Sequence, residues 1–138
     1  MPAALDDIID TFQSVDRDTR LELLLDFSKK LPPLPPEHRA ARDAGLNRVH
    51  ECMTPVFLFI ERGNGRVHLH ADVADEAPTV KGFVSILVQG LDGATPAEVA
   101  ATPNDLVDRL GLADLLRMNR AVGLAAVLAR IKREVAVG

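Results

Sequence analysis

Apolar residues at helical spacing open the chain. Leu5, Ile8, Ile9 and Phe12 recur every three or four positions, which predicts a short amphipathic helix over residues 4–13. Asp16 is placed to cap a second helix, whose apolar face of Leu21, Leu24, Leu25 and Phe27 runs to about Leu31. The run Leu31-Pro32-Pro33-Leu34-Pro35-Pro36 then stops helical structure, because proline lacks the donor a helix interior needs; it predicts an extended connector. Residues 37–47 are polar without apolar periodicity and read as a surface loop.

The pattern next changes. Val56-Phe57-Leu58-Phe59-Ile60 is β-branched and aromatic, Gly63-Asn64-Gly65 signals a turn, and residues 66–71 alternate polar and apolar with period two. These predict a hairpin with one face on a core, and residues 46–50 are candidates for a third strand. From Pro78 the period returns to helical, with Val80, Phe83, Val84, Leu87 and Val88 up to about Gly90. Thr95-Pro96-Ala97-Glu98 has the capping residue, first-turn proline and acid of a helix start. Short helices are expected near 104–110 and 112–117. Asn119 is a candidate cap for a last helix through Val122, Leu124, Val127, Leu128 and Ile131, with Arg130, Lys132 and Arg133 as cations suited to its end. The fold class is α+β: a small antiparallel sheet, a hairpin with a third strand, flanked by N-terminal and C-terminal helices.

Length and composition narrow this further. The 138 residues suit a single domain, 1–138, and 47% hydrophobic with 26% charged residues supports a packed core. Tyr and Trp are absent, the net charge is −4 and no basic cluster occurs, so no nucleic-acid partner is expected. No apolar run approaches the ~20 residues of a membrane span, and the acidic N-terminus is unlike a signal peptide. A cytoplasmic location, where a lone thiol stays reduced, follows as the expectation.

One cysteine excludes an internal disulfide and any site built from several thiolates of this chain. Cys52 lies between a polar loop and an apolar strand, in Arg48-Val49-His50-Glu51-Cys52-Met53-Thr54-Pro55-Val56. A buried inert cysteine is the commoner fate, but the polar neighbours His50, Glu51 and Thr54 make a core position less natural and a reactive role an even alternative. His68 and His70 share a strand face. Without a third ligand at a convincing spacing, no metal site is expected. Asp72, Asp75 and Glu76 read as a solvated turn that places negative charge before a helix.

These segments together resemble the SufE-type sulfur acceptors, or cysteine desulfuration proteins, over roughly residues 5–133. Glu51-Cys52-Met53-Thr54-Pro55-Val56-Phe57-Leu58 is similar to the family's Cys-Gln-Ser-x-Val-aromatic segment, with Met53 in place of the usual Gln. Asp72 through Ala77-Pro78-Thr79-Val80-Lys81-Gly82-Phe83 matches a second segment, in which either Asp75 or Glu76 is the counterpart of the family's Asp. Arg120-Ala121-Val122-Gly123-Leu124 is similar to Ser-Arg-x-x-Gly-Leu before the last helix. Leu115 departs from a common His, and Arg117-Met118-Asn119 from a Ser-Pro-Ser-like stretch.

The resemblance implies that Cys52 takes the outer sulfur of a persulfide on a SufS-type, pyridoxal-phosphate-dependent cysteine desulfurase and relays it to iron–sulfur scaffold proteins. It implies a sulfurtransferase-like carrier with no cofactor of its own, since the partner's pyridoxal phosphate cleaves the carbon–sulfur bond. Glu51, Met53, Asp75, Glu76, Lys81 and Arg120 are implied as supporting or partner-binding residues. A non-catalytic adaptor that stimulates a desulfurase and a degenerate scaffold relative are the alternatives, and a homodimer is left open. The loop from Arg48 to Thr54, polar and set against an apolar strand, is expected to have two resting places, tucked in the free protein and swung out when the partner docks. Tucked, it shelters the thiol and slows it as a nucleophile; swung out, it exposes it.

Overall fold

The computed structural model describes residues 1–116 and 118–137; of residues 118–120 and 137 it describes the backbone alone. The first two helices are α1 (Ala3–Gln13) and α2 (Arg17–Lys30), with the Asp16 carboxylate accepting from the Thr19 amide at 2.9 Å as the cap of α2. The proline stretch is extended only as far as Pro35. Pro36 takes the first position of a helix, α3 (Pro36–Asp43), where the expectation was a loop. The missing signal has a physical cause: none of α3's residues is fully buried, so it carries no apolar stripe to be read. Proline at the first helical position costs nothing there, because that amide has no partner within the helix.

The hairpin is β1 (Val56–Gly63) and β2 (Arg66–Val73), paired from Val56↔Val73 to Gly63↔Arg66. Asn64 and Gly65 form its two-residue loop with φ of 56° and 73°, the left-handed pair that matches strand twist. Among the described residues the sheet has these two strands alone. The third strand expected at 46–50 reduces to one bridge, Arg48↔Phe57, with Leu58 N–H donating to Asn47 O and Val49 N–H to Val56 O. The other edge is covered in the same way: Val67 and Leu69 donate to Ala94 O and the Asp92 carboxylate. Irregular segments thus occupy both edges that would otherwise template further strands.

Strand alternation divides the hairpin. Val56, Leu58, Val67, Leu69, Ala71 and Val73 point to the helical core, while Phe57, Phe59, Glu61, His68, His70 and Asp72 lie on the opposite face. At the centre of the core is α4 (Pro78–Leu91), in contact with α1, α2, β2 and the last helix. Gly82 is what lets α4 meet α2, since a β-carbon there would stand 2.3 Å from the Leu24 carbonyl oxygen. α5 (Pro96–Ala100) has the full Thr95–Glu98 capping box, and α6 (Leu106–Arg109) follows. Residues 112–116 form turns rather than the expected helix. α7 (Met118–Val137) closes the fold, with Asn119 already inside its first turn and its end four residues beyond Arg133. Among the described residues no helix is long and apolar enough to cross a membrane.

Candidate functional site

The segment leading into β1 folds into a small closed loop. Its neck is the Val49 N–H to Val56 O bond at 2.8 Å, and inside it Cys52 N–H donates to Val49 O at 3.2 Å, making a turn. The turn directs consecutive side chains opposite ways. His50, Glu51 and Met53 are exposed, Met53 to 82%, while Cys52 between them is only 4% exposed. The thiol belongs to the same buried cluster as Val49, Val56, Leu116 and Leu124. Polar neighbours had made a core position less natural; the turn resolves this by sending them outward and the thiol inward.

α7 forms the wall behind the cysteine. Gly123 is buried against it: a β-carbon there would lie 3.1 Å from Cys52 Cα, 3.3 Å from Glu51 O and 3.4 Å from Cys52 Sγ. One turn and more further along, Arg130 donates from Nη1 to the carbonyl of Arg48 and pairs with Glu134 at 3.5 Å. Arg130 therefore ties the base of the cysteine loop to α7, a role its position near the helix end did not suggest.

Beside this wall lies an open, mostly apolar cleft of about 500 Å³, lined by Val107, Leu116, Ala121, Val122 and Ala125 with Asp105 and Asp108 at its edge. Val122, the neighbour of Gly123, is 65% exposed. Two large apolar side chains, Met53 and Val122, thus stand in solvent on the two segments that enclose the thiol.

The family model for the SufE domain, described as Fe-S metabolism associated, matches residues 6–135. The chain belongs to the SufE family. A SufE-like protein of Mycobacterium tuberculosis is 42% identical over 134 residues, covering 96% of this chain and 92% of that one. The sulfur acceptor protein CsdE of Escherichia coli is 33% identical over 106 residues, covering 75% and 68%. The solution structure of a hypothetical protein from Thermus thermophilus superposes with a TM-score of 0.86 at 36% identity, covering 99% of this chain and 96% of that one.

The other residues that the sequence resemblance implied as supporting or partner-binding are placed as follows. Lys81, in the first turn of α4, pairs with Asp75, and holds that carboxyl below its ordinary value by hydrogen bond and charge. Asp75 and Glu76 are both exposed, and it is Asp75 that Lys81 engages. The pair lines a cleft with Ser28, Lys29, Leu31 and Pro78, at the end of α2. The Asp75 turn and the cysteine loop leave the open end of the hairpin side by side, at the paired residues Val73 and Val56. Arg120 falls in the first turn of α7, three positions before Gly123, and its side chain lies outside the described residues, as does Arg117 altogether. Leu115 packs partly buried against the core.

His68 and His70 are not brought to a common ligand. His68 Nδ1 turns to Asp92 at 3.6 Å, while His70 Nε2 faces Glu61 at 3.8 Å.

Proposed function

We propose that this SufE-family chain accepts sulfur on Cys52 from a pyridoxal-phosphate-dependent cysteine desulfurase, in the reducing cytoplasm, and relays it to a scaffold for iron–sulfur cluster assembly. The observation that carries the reading is the thiol's setting: the chain's only cysteine sits at the tip of a closed loop, turned inward against a glycine of α7, with exposed apolar residues on either side. The identity with a sulfur acceptor protein supports it.

The transfer is a thiol exchange. The Cys52 thiolate attacks the outer sulfur of the desulfurase persulfide, a new sulfur–sulfur bond forms on Cys52, and the desulfurase cysteine departs as a thiolate. The terminal sulfur keeps its proton, and nothing is oxidised or reduced overall. A tucked thiol cannot perform this attack, so docking must favour the outward loop; a partner that binds this state better than the inward one shifts the population by its differential affinity. Met53, Val122 and the cleft beside α7 supply apolar surface for that docking, and Glu51 a charge at its rim. Once loaded and withdrawn, the loop holds the persulfide away from small thiols and oxidants.

Desulfurase turnover with cysteine as substrate tests the reading. Wild-type protein is expected to stimulate sulfide release in the presence of a reductant, and Cys52→Ser to abolish the stimulation. Full stimulation by Cys52→Ser would support an adaptor and remove the acceptor.

A further inference from the structure

Three elements meet on the face of the hairpin away from the core. His38 of α3 stacks on Phe59 with ring centroids 4.4 Å apart, and its Nε2 donates to Glu61 Oε1 at 2.6 Å. His70 of β2 has its Nε2 3.8 Å from the other carboxylate oxygen of Glu61, and the two imidazole centroids lie 5.4 Å apart. The three ligand atoms all fall within 4.8 Å of one another. The expectation of no metal site weighed only His68 and His70. The third ligand comes from α3, a helix the sequence did not reveal.

We propose that His38, Glu61 and His70 form a site for one divalent cation of the zinc class, joining α3 to both strands. Two imidazole nitrogens and one carboxylate oxygen are a donor set that zinc takes, at about 2.0–2.2 Å per bond, with water in the fourth position. Ligand atoms around a tetrahedral ion at those lengths stand roughly 3.3–3.5 Å apart. The carboxylate already lies between the two rings at 2.6 and 3.8 Å, so small side-chain rotations suffice. His38 is held by its stack on Phe59, and its side chain is 17% exposed against 30% for His70 and 46% for Glu61. The site is therefore partly preformed and open to solvent on the Glu61 side.

Coordination through His38 Nε2 takes the place of its hydrogen bond to Glu61, with the ring proton carried on Nδ1. Its structural effect is specific. α3 buries no residue, and its described ties to the hairpin are His38 on Phe59, Glu61 and His70, and Arg42 on Asp72 at 3.1 Å. A cation would convert the first of these into coordinate bonds and fix the segment that leads into the cysteine loop.

Titration of the full-length chain with Zn²⁺, and with Co²⁺ as a spectroscopic probe, tests the site. One equivalent per chain is expected, with cobalt ligand-field bands of a nitrogen–oxygen site and no thiolate charge-transfer band. His38→Ala, Glu61→Gln and His70→Ala are each expected to weaken binding tenfold or more, and His68→Ala less than twofold. All four positions are partly exposed, and circular dichroism of the metal-free variants checks that they fold. Absence of stoichiometric binding at micromolar metal, binding insensitive to the triad, equal loss in His68→Ala, or loss on Cys52→Ser would each overturn the assignment.

Discussion

Gly123 and Cys52 are in contact across the space where a side chain would otherwise stand: a β-carbon at 123 would lie 3.1 Å from Cys52 Cα and 3.4 Å from its sulfur. The backbone of the cysteine loop, not a flexible side-chain end, is what an added methyl would meet. The inward loop therefore depends on a glycine in the middle of a long helix, where glycine costs roughly 1 kcal/mol relative to alanine.

Gly123→Ala is expected to push the loop outward. The gain in helix propensity opposes overpacking of about 1–3 kcal/mol, so the net loss of stability should be modest. The thiol should respond more strongly, with alkylation of Cys52 by iodoacetamide accelerated at least severalfold. An unchanged alkylation rate in a folded Gly123→Ala protein would mean that the loop is held by something else.

Arg130 supplies the second restraint. Its guanidinium donates to the Arg48 carbonyl from a side chain only 20% exposed. Hydrogen bonds from charged donors contribute about 1.5–3 kcal/mol, and partial exposure reduces this. Arg130→Met, which keeps the stem, should lower the melting temperature by a few degrees and speed alkylation of Cys52. Lys132→Ala, which removes an exposed contact to Asn104, should do neither.

Much of this was legible in the sequence. The hairpin register follows from Asn64-Gly65 and the alternation on either side, and α5 from its capping box. The resemblance carried by Cys52, Lys81-Gly82 and Arg120-to-Leu124 pointed to the family. What stayed hidden is what depends on tertiary contact. α3 buries nothing, so no periodicity betrays it, and with it His38 was missed. The inward-turned Cys52 packs against Gly123, and Arg130 ties the base of its loop; both are far away in sequence, and no local pattern near the cysteine reports them.

Docking should release the thiol. Alkylation of Cys52 is expected to be slow in the isolated protein, where it is 4% exposed, and faster with a cysteine desulfurase whose own active-site cysteine is blocked. Rapid alkylation in the isolated protein, unaffected by the desulfurase, would show the loop already open.

Acid should destabilise the fold. Asp16 (bonded by Thr19), Asp75 (paired with Lys81), Glu98 (bonded by the Thr95 backbone) and Asp105 (bonded by Arg109) all lie below their ordinary carboxyl values. A lowered value in the folded state means stability that is present above the ordinary carboxylate range and lost as the pH falls through the lowered one. The melting temperature should hold from pH 7 to about 5 and decline below about pH 4. Asp16, Asp75 and Asp105 are exposed and Glu98 is half-buried, so each share is small. Glu98→Gln should keep the cap and reduce the decline.

The acceptor role itself is tested most directly by the intact mass of this protein after incubation with a cysteine desulfurase and cysteine, without reductant. The account predicts a gain of one sulfur atom, located on the peptide containing Cys52, removed by dithiothreitol and absent in Cys52→Ser. An unchanged mass in wild-type protein, under conditions where the desulfurase carries its own persulfide, would contradict it.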